Sequence, residues 1–141
     1  MLRPIAAALA FVLLGAASPT GRLEVEVAGL RSAAGTLRLC LTADPRAFPA
    51  CHADPRAARV NVPAGTARLV VEGLPPGDYA AALLHDANGN KRLDKLAGIP
   101  TEGFGFSRNP AIRFGPPLFS AARFPVAAGA STQRVRMRYM L

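Results

Sequence analysis

The middle of the chain reads GLPPGDYAAALLHD from Gly73 to Asp86, and this stretch indicates a turn followed by a strand. Two prolines and two glycines lie within Gly73–Gly77, and both residue types interrupt regular structure. The residues from Tyr79 to His85 are almost continuously apolar. Such a run is typical of a central strand that is covered on both faces. We therefore expect a sheet built around this strand.

Shorter stretches of alternating apolar and polar residues lie on both sides of the central strand. Alternation places one set of side chains on the core face of a strand and the other set on its solvent face. Six further strands are expected at residues 23–27, 37–41, 59–62, 67–72, 122–126 and 133–139. Seven strands separated by turns predict an all-β fold, an antiparallel sandwich of the immunoglobulin-like or transthyretin-like kind. A single domain over residues 21–141 accommodates them.

Residues 86–118 interrupt this series and are expected to form one long irregular loop. The segment holds five glycines, four prolines and three of the seven phenylalanines, and Phe119 follows it directly. Loops of this length inside a compact domain are uncommon and are usually functional. The phenylalanines of Gly103–Ser107 and Phe114–Phe119 are expected to close the open end of the sandwich, and a ligand groove is the alternative.

Residues 1–17, MLRPIAAALAFVLLGAA, have the pattern of a secretory signal peptide. Arg3 supplies the positive start, Ile5–Leu14 supply the apolar stretch, and small residues precede a cleavage site after Ala17. The apolar stretch is shorter than the roughly 20 residues that span a bilayer. An uncleaved anchor is the alternative. We therefore expect a periplasmic or secreted protein with no membrane span after cleavage.

Cys40 and Cys51 are the only cysteines in the chain. In the oxidising compartment that a signal peptide implies, they are expected to form a disulfide that closes a short loop. A metal site or a redox dithiol is the alternative, although the spacing is not Cys-x-x-Cys.

A cluster of oxygen-bearing side chains begins where the central strand ends. Asp86, Asn88, Asn90 and Asp94 have the spacing of positions 1, 3, 5 and 9 in a calcium-binding loop. Hard cations prefer several oxygen ligands, and alternate side chains of a tight loop can converge on one point. Glu102 is the nearest remaining carboxylate and is expected to fold back as a further ligand. The sequence therefore predicts a Ca²⁺ site.

The loop departs from the EF-hand template in two positions and has a second interpretation. Lys91 stands where the template has glycine, Ala97 stands where it has glutamate, and no helices flank the loop. Asp and Asn side chains also form Asx turns, in which they hydrogen-bond to nearby backbone. Three basic residues, Lys91, Arg92 and Lys95, would repel a cation unless they point away from it.

The hydrophobic content and the charge of the chain indicate what kind of partner it could bind, but they do not identify that partner. Half of the residues are hydrophobic, and this content excludes a disordered chain. The formal net charge is +8. The last strand carries Arg134, Arg136 and Arg138 on its polar face. Because an exported protein rarely meets nucleic acid, an anionic envelope surface is the expected partner of such a face if it binds anything. A solvated strand face is the alternative.

His85, Asp86, Glu102 and Ser107 form the one cluster with residue types that catalysis needs. A lone histidine at a strand end is more commonly a hydrogen-bonded structural residue than a base or a ligand. No nucleophile elbow is present. We therefore expect no enzymatic activity, and the alternative is a hydrolase that uses His85, Asp86 and Glu102.

Two segments together resemble a known protein family. The turn LPPGDYA at residues 74–80 resembles turns of transthyretin-like and carboxypeptidase-regulatory-like sandwiches. The strings HDANGNKRLD at 85–94 and GIPTEGFGFS at 98–107 are more specific and resemble the DUF2141 family of exported bacterial proteins. The resemblance implies export and a β-sandwich, and it implies no reaction. The expected function is a non-catalytic binding or structural role in the cell envelope, by a monomer with an unidentified partner.

Overall fold

The computed structural model describes residue 15 and residues 18–141, and this part of the chain is all-β. A single short helix, α1 (Phe119–Ala122), and one 3-10 turn (Ala64–Thr66) occur among the described residues. The described residues contain ten strands: β1 (Gly21–Ala28), β2 (Thr36–Thr42), β3 (Ala58–Pro63), β4 (Arg68–Leu74), β5 (Gly77–Asp86), β6 (Lys95–Leu96), β7 (Ile99–Pro100), β8 (Gly103–Phe106), β9 (Phe124–Val126) and β10 (Gly129–Arg136). The all-β expectation is confirmed, and the structure has three more strands than the seven expected.

One sheet has the strand order β10-β1-β4. β1 pairs antiparallel with β4 but parallel with β10, in a register that joins Gly21 to Gly129 and Ala28 to Arg136. The expectation of an entirely antiparallel structure is therefore wrong for the β1–β10 pair. Alternation specifies which face of a strand is buried, but it carries no information on the direction of the neighbouring strand.

The other large sheet has the order β3-β2-β5-β8, and β9 pairs with the beginning of β5. β5 is the longest strand and lies between β2 and β8. Seven of the eight residues from Tyr79 to Asp86 are buried, as expected of a central strand that is covered on both faces. The end of β5 therefore carries its polar residues, His85 and Asp86, into buried positions.

The larger hydrophobic core is formed by residues of both larger sheets. The alternating residues of β1 and β2 point into it, and Leu23, Val25, Leu37 and Leu41 are fully buried. β10, which pairs with β1, and β5, which pairs with β2, also contribute residues to this cluster. A smaller cluster lies on the opposite face of β5, where Ala80 and Ala82 pack against aromatic residues: Phe48, Phe104, Phe106 and Phe119.

β8 falls inside the segment that was expected to be irregular. Its sequence, Gly-Phe-Gly-Phe, alternates with period two, but the residue on the core side is glycine. A Cβ at Gly105 would lie 2.7 Å from Val135 Cγ1 and 3.0 Å from the backbone oxygen of Arg136. Glycine is therefore needed for β8 to approach β10 closely. The expectation of an unbroken loop over residues 86–118 is wrong at this point.

β8 also connects the two sheets at one edge. The backbone N–H of Phe104 donates to the oxygen of Arg138 (3.0 Å), and that of Arg138 donates to the oxygen of Phe104 (2.8 Å). The strand expected at 133–139 is therefore not continuous: β10 ends at Arg136, and Arg138 forms the bridge to Phe104. Val135 and Met137 are buried, whereas Arg134 and Arg136 are exposed.

The Cys40–Cys51 disulfide is confirmed, with 5.8 Å between the Cα atoms. It ties β2 to the loop that follows it, and Cys51 is fully buried. Within this loop the Thr42 hydroxyl donates to the Asp54 carboxylate at 2.7 Å. In the chain-entropy model a disulfide closing such a loop stabilises the fold by about 3 kcal/mol.

The signal-peptide expectation concerns residues 1–17, which lie outside the described residues except for Gly15. In the described part of the chain, no helix has the length and hydrophobicity needed to cross a membrane.

Candidate functional site

The pairing of β5 with β8 positions two carboxylates at the base of the loop. His85 pairs with Gly103 in the antiparallel register, so the next residues along the two strands are Asp86 and Glu102. Both side chains are buried, with Asp86 fully inaccessible and Glu102 exposed by 6%. The chain between them makes a loop that includes the two-stranded hairpin β6–β7. The Asp and Glu that the sequence placed at opposite ends of this loop are therefore neighbours.

Asp86 is held by three donors. Arg38 Nε donates to Oδ2 at 3.0 Å, and the backbone N–H of Lys91 donates to the same oxygen at 2.7 Å. The backbone N–H of Asn90 donates to Oδ1 at 3.1 Å. Two carboxylate oxygens offer about four lone-pair directions, so Asp86 retains capacity for one further ligand.

Asp94 receives the side-chain amides of both asparagines. Asn88 Nδ2 donates to Oδ2 at 2.6 Å, and Asn90 Nδ2 donates to Oδ1 at 2.5 Å. Both hydrogen bonds lower the pKa of Asp94 below its ordinary value, and the bond from Asn88 has the larger effect. Asp94 is therefore ionised at neutral pH.

The oxygens of the same asparagines face the backbone. Asn88 Oδ1 accepts from the N–H of Asn90 at 3.2 Å, and Asn90 Oδ1 accepts from the N–H of Arg92 at 3.0 Å. These are Asx turns. Each amide oxygen accepts one hydrogen bond here and keeps a second lone pair that a cation could use.

Glu102 closes the base of the loop. Its Oε2 accepts the backbone N–H of Asp94 at 3.5 Å, and its Oε1 has no hydrogen-bond partner although it is buried. Burial is the largest cause that raises the pKa of Glu102, and the negative charges of Asp94 and Asp86 raise it further. The loop is held beside it by Thr101, whose N–H donates to the oxygen of Asp94 at 2.8 Å.

Lys91 takes the backbone conformation that the calcium-loop template assigns to glycine. Its φ is +64°, in the left-handed region that a non-glycine residue rarely occupies. The side chains of Lys91, Arg92 and Lys95 are exposed. Across the described residues, however, no three His, Cys, Asp or Glu side chains are arranged as a metal-binding group. A cation here would require the carboxylates to be supplemented by amide, backbone or water oxygens.

Arg38 is a residue of this site that the motif did not reveal. It pairs with Leu84 across β2 and β5, which places its side chain on the face shared by Leu84 and Asp86. It sits between two core leucines, Leu37 and Leu39, and its alternation with them marks it only as outward-facing. The β2–β5 register, which the sequence does not specify, decides that it meets Asp86.

His85 is engaged through both ring nitrogens and is 2% exposed. Nε2 lies 2.7 Å from the carbonyl oxygen of Ala34, which can only accept, so Nε2 carries a proton. In the neutral imidazole, Nδ1 accepts from the Tyr139 hydroxyl at 2.7 Å. That hydroxyl accepts the backbone N–H of Arg31 at 3.1 Å.

The remaining predicted residues lie away from this cluster. Ser107 is fully buried and bonds to the backbone of Ala81 and Ala122. Phe104 and Phe106 lie in the smaller hydrophobic cluster, while Phe114 is fully exposed. On the basic face, Arg134 forms an ion pair with Glu26 at 2.9 Å.

Comparison with known proteins places the chain in a family without a described activity. No curated protein and no solved structure matches it significantly. Residues 25–134 match the model of the DUF2141 family, whose description is 'uncharacterized protein conserved in bacteria'. That range runs from β1 into β10 and includes Asp86, Asp94 and Glu102. The chain therefore belongs to the DUF2141 family.

Proposed function

We propose that this protein is an exported, non-catalytic component of the cell envelope whose loop between Asp86 and Glu102 binds Ca²⁺. The observation that carries the proposal is the buried Glu102 Oε1, which has no hydrogen-bond partner and belongs to the carboxylate beside Asp94. A buried polar atom without a partner is costly and is rare in folded proteins. A cation at this point would remove that cost.

The charges at the base of the loop support a cation. The negative charges of Asp94 and Asp86 both act on Glu102, and Arg38 pairs with Asp86. Like charges this close raise the pKa of at least one carboxyl. In the absence of metal, burial and the two negative charges favour the protonated form of Glu102 and raise its pKa. Ca²⁺ would favour the ionised form instead.

The ligand chemistry favours Ca²⁺ over Mg²⁺. The site offers carboxylates together with neutral amide and backbone oxygens on a long loop, and Ca²⁺ accepts six to eight such oxygens in variable geometry. Mg²⁺ requires a strict octahedron and loses its water reluctantly. Asn88 and Asn90 would become ligands through the second lone pair of each amide oxygen.

The envelope location follows from two features of the chain. Residues 1–17 have the pattern of a secretory signal peptide. The Cys40–Cys51 disulfide is the kind of cross-link that persists in exported proteins. We further infer that the two larger sheets form a sandwich of the immunoglobulin-like or transthyretin-like kind, which suits a scaffold that carries a binding loop.

The competing function is hydrolysis by His85, Asp86 and Glu102. It is less favoured because a general base needs a free nitrogen within reach of substrate. His85 is buried and both of its nitrogens are already bonded, to Ala34 and Tyr139. Assays of the purified protein on ester, glycan and peptide panels, with Asp86→Ala as the control, would reveal such an activity. Turnover that Asp86→Ala abolishes would replace the proposal.

Thermal unfolding with and without calcium tests the site itself. Extracellular calcium sites are often weak, with Kd on the order of 10⁻⁴ to 10⁻³ M, so calcium must be millimolar. At a hundredfold excess over Kd, the folded state gains about 2.7 kcal/mol. The wild type should melt at a higher temperature in calcium, and magnesium should have a smaller effect.

Two matched glutamine variants show where the cation binds. Glu102→Gln should lose most of the calcium increment, because a neutral amide cannot balance the ion's charge. Glu72→Gln should keep the increment, because Glu72 is exposed on β4. If calorimetry detects no heat of binding at millimolar calcium, or if both variants respond alike, the loop is Asx-turn scaffolding.

A further inference from the structure

Five of the seven exposed large hydrophobic residues among those described lie in the loop or at residues 140–141, and Phe114 and Leu118 are the other two. Leu96 and Ile99 pair with each other in the β6–β7 hairpin and are 65% and 42% exposed. Leu93, just before the hairpin, is 36% exposed. Large side chains of this kind are normally buried, and a contiguous group of them marks an interaction surface.

A second segment extends this apolar surface. Met140 and Leu141 are both about half exposed. The Arg31 guanidinium donates to the backbone oxygen of Leu141 at 2.6 Å and to that of Thr101 at 3.2 Å. Because Thr101 directly follows β7, this guanidinium holds Leu141 beside the foot of the hairpin.

The accessible charge at this end is positive. Lys91, Arg92 and Lys95 are exposed. Asp86 and Glu102 are buried, and the Asp94 carboxylate accepts the amides of the two asparagines. Asp86 and Glu102 therefore face inward and Asp94 is half-buried, while the basic groups lie in the hairpin and in the segment just before it.

We propose that this loop-end surface, formed by Lys91, Arg92, Lys95, Leu96 and Ile99, docks on an anionic lipid bilayer. Basic side chains attract acidic headgroups, and apolar side chains enter the boundary between headgroups and acyl chains. The combination of basic flanks with an apolar hairpin matches both layers of that interface. The proposal rests on the envelope location proposed above, and it names the partner.

Vesicle flotation tests the surface with lipid as the probe. The purified exported protein should float with vesicles of phosphatidylcholine and phosphatidylglycerol, and much less with phosphatidylcholine alone. The double variant Arg92→Glu, Lys95→Glu should lower the partition coefficient by about 25-fold or more, since each of the two basic residues near an anionic surface contributes about fivefold. Leu96→Ser with Ile99→Ser should also lower it by about tenfold.

Matched variants at the opposite end of the sheet distinguish this surface from a general effect. Arg56 and Arg123 are exposed near Tyr79, where β5 begins. Arg56→Glu with Arg123→Glu makes the same charge change and should leave flotation within about twofold of wild type, because the docking surface is intact. Phe114→Ser, which removes an exposed aromatic, should also leave it unchanged.

Several results would overturn the proposal. Equal flotation with neutral and anionic vesicles, or equal losses from the two charge-reversal pairs, would exclude docking through this surface. Loss of flotation by Phe114→Ser alone would move the contact elsewhere. A wild-type dimer in sedimentation that Leu96→Ser converts to a monomer would assign the patch to a second copy of the chain. N-terminal sequencing of the exported protein tests the location separately, so failure of export and failure of lipid binding are distinguishable.

Discussion

Arg38 Nε lies 3.0 Å from Oδ2 of Asp86, and this ion pair balances a carboxylate that is fully buried. A buried charge that loses its partner destabilises a protein far more than the intact pair stabilises it. The guanidinium is about one quarter exposed, so solvent moderates the cost. The pair also competes with any cation for the same oxygen.

Replacing Arg38 measures both how much the ion pair stabilises the fold and whether it competes with a cation for Asp86. Arg38→Met should lower the free energy of unfolding without calcium by about 2–4 kcal/mol, because the buried Asp86 carboxylate loses its charged partner. Millimolar calcium should recover part of this loss, since the cation replaces the guanidinium. Denaturant unfolding in calcium and in chelator gives both values. An identical loss in the two conditions would mean that no cation approaches Asp86.

Gly105→Ala tests the close packing of β8 against β10. The new methyl group would meet Val135, Met137 and the backbone of Arg136. Overpacking of this kind typically costs about 1–3 kcal/mol. Gly65→Ala is the control, because the nearest atom there lies at an ordinary 3.5 Å. Equal stability of the two variants in denaturant would show that β8 does not pack against β10 as described.

The parts of the fold that alternation specifies could be predicted, and the parts that depend on pairing could not. Leu23, Val25, Leu37 and Leu41 occupy the core as the period of two requires. The parallel pairing of β1 with β10 is invisible to the same pattern, because direction leaves no trace in it. β8 was missed because hydrophobicity alone does not identify a strand whose core face is glycine.

The candidate site divides in the same way. Asp86, Asn88, Asn90 and Asp94 are local in sequence, so their spacing was informative. Glu102 could be suggested as the nearest remaining carboxylate, and the β5–β8 register brings it to the loop. Arg38, Tyr139 and Arg31 come from distant strands or turns, and only the tertiary structure places them.

The disulfide and the exported state give a joint prediction. Exported protein should have an N-terminus near Ser18 and an intact mass about two daltons below that of the reduced form, since two thiol hydrogens are lost on oxidation. Cys51→Ser should lower the free energy of unfolding by about 3 kcal/mol. Mass spectrometry and thiol titration check both statements. Two titratable thiols in the native protein, or a chain that begins at Met1 in the cytosol, would contradict them.

Without metal, Glu102 should make the fold less stable as the solution becomes more basic. Burial raises the pKa of Glu102 in the folded state, so over the interval between its ordinary and its raised value the folded protein holds a proton that the unfolded chain has released. Stability falls with rising pH wherever the folded state binds more protons. Asp94 acts in the opposite sense, because its lowered pKa adds stability above its ordinary range that is lost on acidification.

Calcium should reverse the contribution of Glu102. Because the cation displaces the Glu102 proton, calcium binds more tightly as pH rises through the raised pKa, and binding releases a proton. Unfolding midpoints should therefore diverge with pH between metal-free and calcium-loaded protein. Glu102→Gln, which is neutral at every pH, should remove both the metal-free decline and the divergence, while Glu72→Gln should retain them. Parallel pH profiles with and without calcium in the wild type would show that Glu102 does not bind the ion.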